Sequence, residues 1–167
     1  MNSFKDLFEN ITERFSVPVK LSKSCESNTF YRVEDLTRED VEFCAEYLAE
    51  KIIDSGEPDI LIEMPGSAVD LGKTVADKMG EQVKRPDVIL LEGTENGDIN
   101  ISSIQGKTIV IINDVITTGR SCLEVHSKLT MKGGNVLCWV ALVDRTFGPG
   151  PVSVIATLTG DSITLLK

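Results

Sequence analysis

The segment Thr108–Ser121, TIVIINDVITTGRS, has the residue types and order to hold a phosphorylated sugar. Thr108 to Ile112 are all β-branched, which predicts a buried strand. Asn113 and Asp114 follow at its end, and the loop from Asn113 to Arg120 carries two threonines and a glycine before a helix starts. The first amides of a helix have no partner inside it, and the helix dipole adds partial positive charge there. Thr117, Thr118 and Ser121 add hydroxyl donors, and Gly119 lets backbone approach a ligand without a Cβ between them. Together they make a phosphate cradle that needs no surplus of cations. A carboxylate at the carboxyl end of a strand, as at Asp114, can accept from two neighbouring sugar hydroxyls or face a developing positive charge. There is no GxxxxGK[ST] and no GxGxxG after a strand, so neither a P-loop nor a Rossmann dinucleotide site is indicated.

Several elements must position this segment. Phe4, Leu7, Phe8, Ile11 and Phe15 fall at helical spacing and predict an amphipathic helix over residues 3–15. Residues 19–34 read as irregular with short strands. Thr37 starts a helix, Asp40 completes a capping-box variant, and Val41, Cys44, Ala45, Leu48 and Ile52 form the apolar stripe. Asp59–Met64 reads as a buried strand, broken by Pro65-Gly66-Ser67. A helix over 68–79 stops at Gly80, read as a C′ glycine. Asp87–Leu91 is the next strand, and residues 92–106 read as a polar hairpin or mobile loop. A helix with Cys122, Val125 and Leu129 on one face ends at Gly133-Gly134. Val136–Val143 and Val152–Leu158 complete the strands. Segments so uniformly apolar, alternating with helices, predict an α/β fold: a mostly parallel twisted sheet with helices on both faces.

The composition restricts the function. The chain has 167 residues, 41% hydrophobic and 26% charged, which fits one ordered domain over 1–167. Its 17 Lys and Arg against 26 Asp and Glu leave a net charge of −9, so no basic face for nucleic acid is expected. No apolar run reaches the ~18 residues of a membrane helix. MNSFKDLFEN lacks the features of a secretory signal, so a cytoplasmic location is expected. Cys25, Cys44, Cys122 and Cys138 form no CxxC pair, and the only histidine is His126, so a Cys/His zinc site is not expected. Free thiols are. His126 reads as a surface or packing residue.

NDVITTGRS after its β-branched strand resembles the phosphoribosyl pyrophosphate (PRPP) motif of the type I phosphoribosyltransferases. LSKSCESNTFYRVEDL (21–36), DILIEMPGSAVDLGKTVADKMG (59–80) and VALVDRTFG (140–148) are similar to segments of the orotate phosphoribosyltransferases, in that family's order. The resemblance implies the type I fold, with an N-terminal helix and hood over about 1–36 and a PRPP-binding core over about 37–167. It implies transfer of the 5-phosphoribosyl group of PRPP to orotate with release of pyrophosphate, in pyrimidine nucleotide biosynthesis, by a homodimer. Mg²⁺ would be carried by PRPP rather than held by the protein. Asn113, Asp114, Val115, Ile116, Thr117, Thr118, Gly119, Arg120 and Ser121 would bind PRPP, with Asp114 on the ribose hydroxyls. Pro65, Gly66 and Ser67 would approach the pyrophosphate. Lys23 would act beside Asp114 in catalysis, and Phe30, Tyr31, Thr118 and Arg145 would take orotate. Some family members hold a strained or cis peptide where this chain has Met64-Pro65-Gly66.

The chain departs from the pattern at three places. Asn113 stands where the motif has an acid. Leu91–Gln105, matching a closing loop rich in Lys, Arg and His, has none of these and carries Glu92, Glu95 and Asp98. Ser67-Ala68 replaces a glycine pair. Lys84 and Arg85, just before the Asp87 strand, could reach inward, but their spacing does not match the family's loop cations. These departures leave a second function open, a non-catalytic PRPP- or nucleotide-binding homologue with a regulatory or assembly role.

Overall fold

The computed structural model describes residues 3–91, 104–146, 150–161 and 163–165. Ser3 and Asp6 form a capping box that starts α1, Phe4–Glu9. The helix stops there, not at residue 15. The Thr12 hydroxyl takes the Phe8 carbonyl at 2.6 Å, and the chain turns into strand β1, Thr12–Ser22. Pro18 fits because β1 is the edge of its sheet and the ladder is irregular between Arg14 and Val19. Within the segment read as irregular with short strands, β2, Cys25–Tyr31, pairs antiparallel with β1. With a short C-terminal strand, β8 (Thr164–Leu165), these form a three-stranded hood in the order β1-β2-β8.

The second sheet is fully parallel, ordered β4-β3-β5-β6-β7, from β3 (Ile60–Glu63), β4 (Asp87–Leu90), β5 (Thr108–Ile116), β6 (Asn135–Asp144) and β7 (Val154–Thr159). It alternates with α2 (Arg38–Ser55), α3 (Leu71–Gly80) and α4 (Arg120–Met131). Thr37 and Asp40 cap α2 reciprocally, and the expected stripe of α2 is buried. One face of the sheet packs Leu61, Val110, Ile112 and Val140 against α2 and α3. The other packs Ile62, Ile109, Ile111 and Trp139 against Cys122, Val125 and Leu129 of α4. Helices therefore cover both faces, as the apolar strands require.

Two glycine readings separate here. After α4, Gly133 has φ +84°, and the amides of Gly133 and Gly134 donate to Thr130 and Leu129, a Schellman ending. Gly80 is instead the last residue of α3, with Glu81 as its cap. A Cβ at Gly80 would lie 3.0 Å from the Arg85 Cβ, so close packing is its reason. No cis peptide occurs among the described residues, so Met64-Pro65-Gly66 does not adopt the cis form that some family members hold. All four cysteines are buried and free. No described helix is long and apolar enough to cross a membrane.

Candidate functional site

Strand β5 is longer than its apolar run: Asn113 to Ile116 continue it rather than opening a loop. Its pairing with β6 carries that extension, from Asn113 opposite Ala141 to Ile116 opposite Asp144. The turn is thus only Thr117, Thr118 and Gly119. Gly119 is the N-cap of α4 at φ +80°, a left-handed conformation that favours glycine, and a Cβ there would meet the Trp139 ring at 3.3 Å. No side chain caps α4. Thr118 Oγ1 accepts only a long bond from the Arg120 amide, 3.3 Å. Arg120 is exposed and faces Glu124 at 3.6 Å, and Ser121 is exposed.

Beside this turn, between hood and core, lies a cavity of ≈ 280 Å³. It brings together Phe30, Tyr31, Gly66, Asn113, Asp114, Val115, Thr117 and Arg145 from the sequence-derived candidates, with Leu21, Val33, Glu34 and Ala68. Lys23 is not among them: it sits exposed in the turn joining β1 and β2. Lys84 and Arg85 lie at the opposite, amino end of the sheet with Asp59, Asp87 and Lys107, and Arg85 is bonded to Asp77 at 2.9 Å. Among the described residues Arg145 is the one cation lining the cavity. The acidic stretch expected over the site, with Glu92, Glu95 and Asp98, lies outside the described residues.

Asp114 is 5% exposed, and both its oxygens are engaged. Oδ1 accepts from the Ser67 hydroxyl at 3.0 Å and Oδ2 from the Ala68 amide at 2.7 Å. Burial pushes its carboxyl above the usual range, and those two donors pull it back. Glu63, at the end of neighbouring β3, is a second buried carboxyl, 2% exposed. Burial is again the main cause of its raised pKa; Ser67 and the Gly72 amide oppose the shift, and Asp114 adds to it. Sequence reasoning passed over Glu63, although a charge inside the apolar run DILIEM was a visible signal.

Arg145 is 2% exposed. Its guanidinium donates to the Asp161 carbonyl (2.9 Å), the Thr29 carbonyl (3.2 Å), Ser27 Oγ (2.6 Å) and Thr29 Oγ1 (2.9 Å). It also lies 5.2 Å above the Tyr31 ring. Burial lowers its pKa. Tyr31 is anchored too, its hydroxyl accepting from the Asp161 amide at 2.9 Å. Phe30 is the open aromatic, 38% exposed. His126 packs, accepting the Trp139 indole N–H at Nδ1, 3.2 Å.

No family model matches the chain. It is 28% identical over 111 residues to an orotate phosphoribosyltransferase of Deinococcus radiodurans, which covers 64% of this chain and 57% of that relative. It is 29% identical over 146 residues to the transcriptional regulator GfcR of Methanothrix thermoacetophila, covering 80% and 69%. This chain therefore matches little more than half the length of the Deinococcus relative. Among solved structures, the orotate phosphoribosyltransferase of Aeropyrum pernix superposes with a TM-score of 0.67 at 18% identity, over 93% of both chains.

The fold is that of the type I phosphoribosyltransferases. Within a phosphoribosyltransferase fold, the Thr117–Ser121 turn, the Pro65–Ala68 loop and the hood stand at the carboxyl end of the parallel strands, where open α/β sheets place ligands. Two of the residues that the resemblance assigned to the ligand are engaged by the protein's own groups. Arg145, expected to meet an orotate carboxylate, has its donors on the protein's own oxygens. Asp114, expected to meet ribose, is covered by the loop expected to meet pyrophosphate.

Proposed function

We propose that the cleft binds a phosphoribosyl ligand, PRPP or a nucleoside 5′-monophosphate, and that the protein acts by binding it rather than by turning it over. The observation that carries this reading is the uncapped start of α4 at Gly119, two residues after Thr117, which with Asp114 lines the cavity. A 5′-phosphate on the amides of Gly119 to Ser121 would gain hydrogen bonds and the helix dipole without needing a cation. The ribose would then extend toward Asp114 and the base toward Phe30. Binding is favoured over turnover because pyrophosphate departure needs charge stabilisation, and the described lining offers one cation whose donors are already engaged. Likeness to a transcriptional regulator is consistent with this use of the cleft.

A second reading is supported by the open Phe30 ring and by the Deinococcus relative. A pyrimidine nitrogen of orotate would attack C1 of PRPP, and the C1–oxygen bond would break to release pyrophosphate. Mg²⁺ would enter as part of the PRPP substrate; the described residues contain no cluster of three His, Cys, Asp or Glu to hold it alone. The protein's part would be alignment of the two reactants.

Calorimetric titration with Mg²⁺-PRPP and a coupled assay of pyrophosphate release with orotate, then with other bases, decide between the two. Binding without release supports the first reading. Turnover that disappears in Asp114→Ala supports the second. Neither binding nor turnover would overturn both.

A further inference from the structure

Trp139 is the only tryptophan of the chain. It lies on the face of the sheet covered by α4, in one buried cluster with Cys122, Val125 and Leu129, and is 3% exposed. Its two ends meet α4 at different places. At one end the indole N–H donates to His126 Nδ1 at 3.2 Å, and the two rings stand edge to face at 73°. At the other end the six-membered ring lies against Gly119: a Cβ there would stand 3.3 Å from Cζ3 and 3.9 Å from Cη2 of Trp139, and 3.5 Å from the Thr146 methyl. Gly119 and His126 are seven residues apart and so share one face of α4. Helical side chains lean toward the start of their helix, which brings His126 back over the indole. Thr146 is held in turn, its amide and hydroxyl both donating to Asp144 Oδ1, at 2.9 and 2.6 Å. No side chain caps α4, so this packing and the 3.3 Å bond from the Arg120 amide to Thr118 are what place the turn.

We propose that Trp139 is a positioning residue for the phosphate turn: anchored to His126, its indole is the floor that holds Gly119 and the amides after it where a phosphate can meet them. The inference rests on the phosphoribosyl-binding reading above. Trp139 is not among the residues lining the cavity, so it acts through Gly119. A buried indole N–H needs an acceptor, and His126 Nδ1 supplies it. Without that acceptor the N–H is left unpaired or the ring turns to find another partner. Interiors are close-packed, so a ring that turns displaces what rests on it, here the N-cap of α4. Amides that no longer converge on one point make weaker bonds to a phosphate.

Ribose 5-phosphate carries the phosphate and no base, so its calorimetric titration against the full chain reads the turn. Emission from Trp139, the single tryptophan, is followed in parallel and should change and saturate together with the heat. His126→Leu leaves the indole N–H without its acceptor and should weaken binding about three- to tenfold, the effect of one lost hydrogen bond. His126→Asn, whose side-chain oxygen can accept in place of Nδ1, should restore affinity to within about twofold of wild type. Trp139→Phe removes both the N–H and part of the floor and should weaken binding about tenfold. Val136→Ala opens a gap in the same cluster at the amino end of β6; it should lower stability and leave the affinity unchanged. His126→Leu and Trp139→Phe binding as tightly as wild type, or Val136→Ala weakening binding as much as they do, would overturn the positioning role while the phosphoribosyl-binding reading stands. Ribose 5-phosphate bound by no form of the protein, wild type included, would overturn that reading and the positioning role with it.

Discussion

The two halves of the cleft are built on opposite principles. At the α4 end, polar groups are exposed and loosely held: Gly119 brings no side-chain cap, the Arg120 amide makes only a long bond to Thr118, and Ser121 and Arg120 are exposed. At the base and ribose end, polar groups are satisfied internally: Arg145 makes four hydrogen bonds and Asp114 two. Exposed donors lose only water when a phosphate arrives. Buried, paired groups must give up protein bonds first, each worth about 0.5–1.5 kcal/mol net. A ligand should therefore be held first by its phosphate, and the other half of the cleft decides what that binding costs. On the second reading, recognition of orotate would need the second half and would be the more demanding event.

The comparison breaks most visibly at Arg145. Arg145→Ala should cost about 3 kcal/mol, because Ser27, Thr29 and the Asp161 carbonyl are left without a charged donor. Urea denaturation measures it, and an unchanged midpoint would mean that this half is not held together as described. Gly119→Ala comes next, at about 1–2 kcal/mol for a left-handed residue with a Cβ. It should also weaken PRPP binding, since the Cβ pushes on the Trp139 ring. His126 gives a smaller effect with a defined sign. Burial lowers its pKa, so the neutral ring that accepts from Trp139 is the folded form. Stability should fall as pH drops below about 6.5, where the ring protonates more readily in the unfolded chain, and His126→Ala should abolish that dependence. Ser121→Ala is expected to leave stability within about 0.5 kcal/mol of wild type while weakening PRPP binding. A large loss of stability there would erase the distinction between the halves.

The sequence made the β5–α4 segment legible because its signals are local. The β-branched run of β5, the turn glycine and the following apolar stripe lie within 22 residues, Thr108 to Leu129. The helix caps at Thr37 and Gly133-Gly134 were legible for the same reason. The hood was not. The spacing of Phe4, Leu7, Phe8 and Ile11 is helical, and Phe15 continues it by coincidence although it belongs to an edge strand. Arg145 shows the deeper limit. Its partners come from residues 27, 29 and 161, and only docking of the hood onto the core brings them within reach. An arginine after a buried strand looks the same in sequence whether it faces a ligand or a neighbouring strand.

The central claim is that the Thr117–Ser121 turn holds a sugar-borne phosphate. Amide NMR during titration with Mg²⁺-PRPP tests it residue by residue. The account predicts saturable shifts at Gly119, Arg120 and Ser121, stronger than those anywhere else in the described chain. Shifts confined to the amino end of the sheet, around Lys84, Asp87 and Lys107, or a spectrum that PRPP leaves unchanged, would contradict it.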